Sequence, residues 1–393
     1  MRLLSLCCFF YLPCASFSMG EDIVGATSGR VWTATHTRRY SGPRGDLDQG
    51  GRLSRPSQIC DKWAVITTIN EPTFLMEQLG AMSEWCTVIV GDKKSPINFQ
   101  PPSGHVVYLS PADQARLPYR IVKVLPWNHF GRKNIGYLYA LHHGAILVYD
   151  TDDDNILSAG KIPLERVCSG GLNCLSLTQR LKKMEEIVVA QVPPDQTVYN
   201  PYPAFGEQQE RCLEENAGQG LVKCRLQEIS WPRGFPLEAI AASAHASHQP
   251  FRPPIERRPS VLQSIAQHDP DVDAIFRLTR DRHVLFAKTS RTVVVPTGVM
   301  SPWNAQATLF QIEAFWALLL PISVHGRVSD IWRSYAVQRI MWDCGLNVGF
   351  TAPFVTQCRN AHEYLADFNS ELPLYERAGA LVEVPLGAKK STP

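Results

Sequence analysis

The first part of the chain with a clear hydrophobic pattern alternates short apolar runs with amphipathic stretches. Apolar runs of strand length cover residues 63–69, 86–90, 105–109 and 145–149. Stretches of helical period lie between them, at residues 74–82, around Gln114 and at residues 131–141. Strands that alternate with helical connections favour a parallel sheet covered on both faces. The pattern therefore predicts an α/β fold with a mostly parallel sheet and helices on both faces.

The pattern weakens in the second half of the chain. Residues 161–260 are rich in Gly, Pro and polar residues, which predicts a loop-rich insertion. Beyond it, the pattern predicts a strand at 293–295 and helices at 306–320 and 328–344. We therefore expect a first half at 60–160, the insertion at 161–260, a second half with a carboxyl-terminal helical elaboration at 261–385, and a disordered tail at 386–393.

The residues before position 60 have a different character. After Arg2, residues 3–17 are mostly apolar and end in small residues, but they are fewer than the roughly 20 that usually span a bilayer. We predict a cleaved signal peptide or a short anchor at 1–18 and a flexible, solvated stem at 19–59. Both alternatives for the leader indicate the secretory pathway.

Composition and charge narrow the classes of function. The chain is 45% hydrophobic and 19% charged, which is typical of a folded globular protein. A net charge of only +2, with acids and bases interspersed, argues against sequence-independent binding to nucleic acid. Three pairs of cysteines lie close in sequence and could form disulfides in an oxidising lumen, although sequence does not fix the connectivity: Cys168/Cys174, Cys212/Cys224 and Cys344/Cys358.

Polar residues follow three of the predicted strands. Asn70, Asp92 and Asp150 each come at the carboxyl end of an apolar run. Ligands of open parallel sheets bind outside these strand ends, so we expect one crevice to collect all three residues. Asp92 and Lys93 either hold the base or ribose of a nucleotide or are ordinary polar turn residues.

An acidic run at the end of the fourth strand predicts a metal site. Asp150, Asp152 and Asp153 directly follow the apolar run, and carboxylate oxygens are the ligands that Mg²⁺ and Mn²⁺ prefer. The preceding helix begins with Arg132, Lys133 and Asn134, whose cations could face phosphates. This context predicts a site for a nucleoside diphosphate with Mn²⁺ or Mg²⁺. The alternatives are an acidic loop or helix cap, or a phosphatase with an aspartyl nucleophile, in which such a motif normally closes the first strand.

Nine sequence strings in one order over residues 60–384 resemble the STELLO family of glycosyltransferase-like proteins. They are WAVITTINEPT, WCTVIVGDKKSP, RKNIGYLYAL, YDTDDD, NPYPAFG, WPRGFPLE, PDVDAIFRLTR, FWALLLPISV and QRIMWDCG. A more distant likeness, around VYDTDDD, is to reversibly glycosylated polypeptides of the UDP-arabinose mutase type. The resemblance implies a glycosyltransferase A-like fold, a Golgi lumen setting, with membrane association possible through the amino terminus, and a role in glycan or polysaccharide synthesis.

The resemblance also implies roles for individual residues. Residues 60–160 become the nucleotide-sugar-binding half and 261–385 the acceptor-side half. Asp271 and Asp273 become candidates for the catalytic base or acceptor binding, although an Asp beside Pro270 can equally cap backbone groups. Trp231 and Arg233 become donor-site candidates, because a Trp flanked by Pro and Gly on a loop is hard to bury and can stack on a sugar.

The leading hypothesis is a metal-dependent glycosyltransferase that transfers a sugar from a nucleotide-sugar donor to a glycan or polysaccharide acceptor. The alternatives are a nucleotide-sugar mutase and a non-catalytic glycosyltransferase-like factor that assembles or traffics a polysaccharide synthase complex, since a fold does not guarantee chemistry. Sequence leaves open the donor sugar, the acceptor and the stereochemical outcome.

Overall fold

The fold was analysed in a computed structural model of the chain. It describes residues 60–103, 106–163, 187–206, 229–243, 259–280, 283–287, 291–359 and 363–387. The predicted leader, the stem, the tail beyond 387 and most of the predicted insertion lie outside these ranges. None of the helices within them is both long enough and apolar enough to cross a membrane.

One mixed sheet runs through both halves of the described chain. Its strands are β1 (Lys62–Thr67), β2 (Cys86–Val90), β3 (Val106–Leu109), β4 (Leu147–Thr151), β5 (Asn155–Leu157), β6 (Ile187–Val189), β7 (Val261–Gln267), β8 (Thr292–Val294), β9 (Ala307–Gln311) and β10 (Val348–Gln357). Within the described residues the order is β3-β2-β1-β4-β9-β7-β10-β8-β6, with β5 paired to β10. Because the two halves share this sheet, the predicted boundary between them is not a break in the fold.

The directions of the strands determine which loops meet at the same edge of the sheet. Strands β1 to β4 are parallel, β7 and β10 are parallel, and β9 runs antiparallel between β4 and β7. An antiparallel strand brings its amino-terminal end to the edge where its parallel neighbours have their carboxyl ends. The residues before β9 therefore join the residues after β4, β7 and β10 at one edge of the sheet.

Helices cover both faces of the sheet. They are α1 (Phe74–Gly80), α2 (Pro111–Arg116), α3 (Lys133–His142), α4 (Ile240–Ser243), α5 (Ala274–Thr279), α6 (Gly326–Asp343) and α7 (Tyr364–Gly387). One apolar core joins α3, α6 and α7 to the sheet, and a second core lies under α1 on the opposite face. Gly136 brings α3 close to the strands, because an added Cβ would lie 2.6 Å from a Val65 methyl group. The predicted α/β sheet with two covered faces is confirmed.

Most predicted elements of the first half are confirmed, with ends that agree or differ by at most two residues. The predicted helix at 306–320 is wrong, since this segment forms β9 and then a 3-10 turn at Ile312–Leu318. Strands β7 and β10 were not predicted.

The predicted pair Cys344/Cys358 is also wrong, because Cys344 is disulfide-bonded while Cys358 is a free, exposed thiol. A disulfide that sequence proximity does not suggest joins Cys60 to Cys86, at the start of β2. The other two predicted pairs lie outside the described residues.

Candidate active site

A polar pocket of about 120 Å³ opens at the carboxyl edge of the sheet. Its lining combines acids, arginines and amides: Asp152, Asp154, Arg233, Asp271, Asn304, Gln306, Arg327, Asp330, Gln357 and Arg359. Asp152 and Asp154 follow β4, Asp271 follows β7 and Asp330 lies on α6. The amides come from the start of β9 and the end of β10, Arg327 from the first turn of α6 and Arg359 from the end of β10. This is the place where open α/β sheets bind ligands.

Two carboxylates of the acidic run face this pocket. Gln357 Nε2 donates to Asp154 Oδ2 at 3.1 Å, while the buried Asp154 Oδ1 has no hydrogen-bond partner. The side chain of Asp152 is 37% exposed and lies 3.5 Å from Lys133 Nζ. Partial burial and the neighbouring carboxylates raise the pKa of Asp152 to about 7 and also raise the pKa of Asp154. Both acids lie where a bound cation would stabilise their charges.

Asp150 has a different environment. Its side chain is fully buried, with Lys133 Nζ 2.6 Å from Oδ1 and Arg333 Nη2 3.3 Å from Oδ2. Lys133 Nζ also donates to the carbonyl oxygens of Thr151 and Ala305, at 2.8 and 3.0 Å. Asp150 and Lys133 thus form an internal ion pair below the pocket, and neither is available to a ligand at its surface. The expectation that Lys133 faces phosphates is wrong, because its ammonium group, at the start of α3, is buried against Asp150 and two backbone carbonyl oxygens.

Asp153 turns towards the neighbouring strand β1. Thr68 Oγ1 and Asn70 Nδ2 donate to Asp153 Oδ2 at 2.5 and 3.0 Å. The predicted set of Asp150, Asp152 and Asp153 therefore points in three directions. Within the described ranges, no three His, Cys, Asp or Glu side chains are grouped to hold a metal ion. A cation here would need Asp152, Asp154 and oxygen atoms of the ligand itself.

Arg233 is the centre of an ion-pair network on the opposite wall of the pocket. Its guanidinium lies 2.9 Å from both Asp271 Oδ2 and Asp330 Oδ2. Asn304 Nδ2 donates to Asp271 Oδ2 at 2.7 Å. Although burial alone would raise it, the charges of Arg233 and Arg359 hold the pKa of Asp271 well below its usual range. Asp271 is therefore a permanently ionised carboxylate and a weak base.

Asp273 and Trp231 are partners in the core behind the pocket. Asp273 is fully buried, accepts from Phe276 N at 2.8 Å as the N-cap of α5, and accepts from Trp231 Nε1 at 2.7 Å. Burial raises the pKa of Asp273 to about 6 against the effect of these two bonds. Trp231 is 4% exposed and packs edge-on against Phe276. The expectation that this loop leaves Trp231 exposed for a sugar is wrong, because the indole N–H finds a buried hydrogen-bond acceptor in Asp273. Of the two alternatives for Asp273, the structure shows the helix cap.

The remaining predicted residues lie towards β2 or serve the fold. Asp92 accepts from the backbone N–H groups of Lys93 and Asn128 at 2.7 and 2.8 Å, and Lys93 is exposed. Arg132 is buried and donates to Gln114. Burial lowers the pKa of Arg132, and the charge of Asp92 acts in the opposite direction. Asn134 bonds both the N–H and the carbonyl of Leu320, so it fixes the chain after β9 and not a ligand.

Comparison with known proteins identifies the family. A sequence model described as STELLO glycosyltransferases matches residues 327–390, which contain α6, β10 and α7. The proteins named "Probable glycosyltransferase STELLO1" and "Probable glycosyltransferase STELLO2" of Arabidopsis thaliana are each 30% identical to the chain over 329 residues, or 82% of its length. The chain belongs to the STELLO family. It spans 38% of the first of these relatives and 39% of the second.

Membership of the STELLO family confirms the resemblance stated from sequence and agrees with a glycosyltransferase A-like fold. The family match also covers pocket residues that sequence reasoning missed, namely Arg327, Asp330, Gln357 and Arg359. Gln357 and Arg359 follow the same rule as Asn70 and Asp92, since they lie at the carboxyl end of a strand. Recognising β10 as a strand would have found them. Asn304 and Gln306 required knowing that β9 is antiparallel.

Proposed function

We propose that this chain binds a nucleotide-sugar in the pocket at the carboxyl edge of its sheet and transfers the sugar to a glycan or polysaccharide acceptor. The observation that carries the proposal is the convergence of two acids after β4, Asp152 and Asp154, with three arginines, Arg233, Arg327 and Arg359, around one pocket. Guanidinium groups recognise phosphate oxygens, and the acids suit a cation shared with a diphosphate.

The cation in this proposal is Mn²⁺ or Mg²⁺, held by Asp152 and Asp154 together with the donor diphosphate. The unpartnered, buried oxygen of Asp154 and the position of both acids in the lining of the pocket support this pair. Mg²⁺ commonly uses one or two carboxylates plus substrate phosphates, so a third protein carboxylate is unnecessary. When bound, the cation would offset the charge of the departing diphosphate. Asp150 is excluded from this role because Lys133 and Arg333 already neutralise it.

Asp271 has a positioning role in the proposed reaction. Its low basicity makes it a poor acceptor of a proton from a sugar hydroxyl, but as an ionised group it can accept a hydrogen bond from one. It also fixes Arg233 and Asn304, which line the same pocket. We therefore assign Asp271 to orientation of the acceptor and of Arg233.

We place the proposed reaction in the lumen of the secretory pathway, with the Golgi as the expected compartment. The Cys60–Cys86 disulfide supports this proposal, because disulfides persist in oxidising compartments. Association with a polysaccharide synthase complex, and with the Golgi membrane through the amino terminus, belongs to the same proposal.

A non-catalytic, nucleotide-sugar-binding assembly factor is the second candidate. It is favoured by one observation: neither Asp271 nor Asp273 has the environment of a strong general base, since one is held ionised by arginines and the other is a buried helix cap. Such a protein would bind the donor in the same pocket without turnover.

The test is binding and turnover of a panel of UDP- and GDP-sugars by the full chain, with Mn²⁺ and with EDTA. The double variant Asp152→Asn/Asp154→Asn is compared with Asp343→Asn, a surface acid paired to Arg339 on α6. Mn²⁺-dependent binding that only the double variant loses supports the proposal. Turnover of bound donor favours the transferase, binding alone favours the assembly factor, and absence of binding by the unmodified chain contradicts both.

A further inference from the structure

Trp127 stacks on a buried arginine at the edge of the sheet, away from the pocket. The guanidinium carbon of Arg132 lies 3.5 Å from the centre of the Trp127 ring, and Lys93 Nζ lies 5.2 Å from the same point. Arg132 is 1% exposed, whereas Trp127 is partly exposed. The arginine is thus a fixed support beneath an indole that solvent reaches.

Arg132 is fixed by hydrogen bonds to neutral groups and forms no direct ion pair with a described carboxylate. Gln114 Oε1 accepts from Nε and Nη2 of Arg132 at 2.9 and 2.6 Å, and Leu125 O accepts from Nη1 at 3.1 Å. Gln114 Nε2 in turn donates to the carbonyl groups of Gly91 and Leu109, at the ends of β2 and β3. No described carboxylate forms a direct ion pair with Arg132; its hydrogen-bond partners are neutral groups, its ring contact is Trp127, and Asp92 acts on it only at longer range.

The loop that carries Trp127 is tied to the acidic run by a chain of hydrogen bonds. Asp153 accepts from Thr68, Ser95 Oγ donates to Thr68 O at 2.6 Å and accepts from Asp92 N at 2.8 Å, and Asp92 accepts from Asn128 N. Asn128 has a positive φ of 53°, so the backbone adopts a left-handed turn directly after Trp127. These contacts run from β4 across β1 to β2 and fix the ring relative to the pocket.

We propose that Trp127, supported by Arg132, is the stacking platform for the nucleobase of the donor. This inference rests on the proposed function. Strands β4 and β2 are two positions apart in the sheet, which at about 4.8 Å per strand separates their ends by roughly 10 Å. A platform at this distance from the acids suits the base, while the diphosphate and sugar occupy the pocket. Stacking on an indole suits any nucleobase, and the buried charge of Arg132 favours a ligand that carries anionic groups nearby.

The test compares ligands with and without a base. Binding of UDP, GDP and pyrophosphate, each with Mn²⁺, is measured by calorimetry for the full chain and for Trp127→Ala, Trp127→Phe and Trp316→Ala. Trp316 is a matched control, because it is a partly buried tryptophan in the turn after β9, at the opposite edge of the sheet. Thermal unfolding of each variant confirms that it is folded.

The expected result is that Trp127→Ala weakens binding of the preferred nucleoside diphosphate about tenfold to a hundredfold, and that Trp127→Phe restores most of the affinity. The affinity of Trp127→Ala for pyrophosphate, and the affinity of Trp316→Ala for all three ligands, should equal those of the unmodified chain. Two results would contradict the stacking role of Trp127 and leave the proposed function intact. One is that Trp127→Ala loses as much affinity for pyrophosphate as for the nucleotide; the other is that it binds the nucleotide as tightly as the unmodified chain. If the unmodified chain binds no nucleotide, the proposed function itself fails.

Discussion

Two clusters of charged side chains lie close together in this protein and differ in almost every physical respect. The buried cluster consists of Lys133, Asp150 and Arg333 and is closed to solvent. The pocket cluster consists of the acids and arginines around Arg233 and opens at the sheet edge. The acidic run contributes to both, because Asp150 is still within β4 while Asp152 and Asp154 follow it. A DxD motif therefore does not by itself show which acid stabilises the fold and which is available to a ligand.

The largest expected effect concerns the stability of the buried cluster. Asp150→Asn removes the carboxylate that is paired with both Lys133 and Arg333 and leaves Lys133 only the more distant Asp152, so we expect the free energy of unfolding to fall by about 3–5 kcal/mol. Asp152→Asn, on the pocket side, should change it by less than about 1 kcal/mol. Urea denaturation of both variants, with Asp343→Asn as the surface control, measures the difference. Equal effects of the two substitutions would remove the distinction between the clusters.

The second prediction separates a structural role of Asp273 from a catalytic one. Asp273→Ala removes the cap of α5 and leaves the buried indole N–H of Trp231 without its acceptor, so we expect a loss of about 2–3 kcal/mol in the free energy of unfolding. Donor binding by the folded variant should be unchanged in calorimetry. Loss of turnover without loss of stability would instead make Asp273 a catalytic group.

The third prediction concerns the affinity of the pocket. Arg359 lies 3.4 Å from Asp269 and 3.7 Å from Asp271, and its Nε makes no hydrogen bond. Arg359→Gln should weaken donor binding about tenfold, or about 1.4 kcal/mol. Because the guanidinium is largely buried beside two acids, its removal should also lower the free energy of unfolding, so binding is measured at a temperature where the variant is folded. Arg339→Gln, which removes a surface pair on α6, is the matched control. An unchanged dissociation constant would remove Arg359 from the donor site.

The fourth prediction concerns the pH dependence of stability. The pKa of Asp273 is about 6 in the folded chain against an ordinary value of 3.8, so between these pH values the folded state binds the extra proton. The free energy of unfolding should therefore fall as pH rises from about 4 to 6, relative to Asp273→Asn. Asp271 contributes in the opposite direction and mainly below about pH 4, because its pKa is lowered in the folded state, and this contribution is shared by the Asp273→Asn reference. Parallel curves for the two proteins would show that burial does not raise this pKa.

Sequence predicted the first half of the fold well because its strands are buried on both faces. Such strands appear as continuous apolar runs that end in polar residues, and the run at 86–90 matches β2 at both ends. The sequence of strand β10 contains Pro353, and a proline argues against a central strand. The structure accommodates it where the register with β7 shifts between Thr351 and Val355. Missing β10 also concealed Gln357 and Arg359.

Sequence predicted a crevice at the carboxyl edge of the sheet, where the pocket lies, but it did not predict the orientation of the side chains there. The position of the acidic run follows from chain order, whereas the direction of each carboxylate depends on the pairing of β4 with β1 and β9. A sequence shows neither this pairing nor the distant Arg333 that neutralises Asp150. For the same reason Trp231 was expected at the surface, since its partner Asp273 lies 42 residues along the chain.

The most direct test of the central claim is the position of the cation. Crystals of the full chain grown with Mn²⁺ and UDP would be measured for anomalous scattering at the manganese edge. We expect a peak in the pocket beside Asp152 and Asp154, with Lys133 still paired to Asp150. A peak liganded by Asp150 with Lys133 displaced, or bound UDP without any manganese peak, would contradict it.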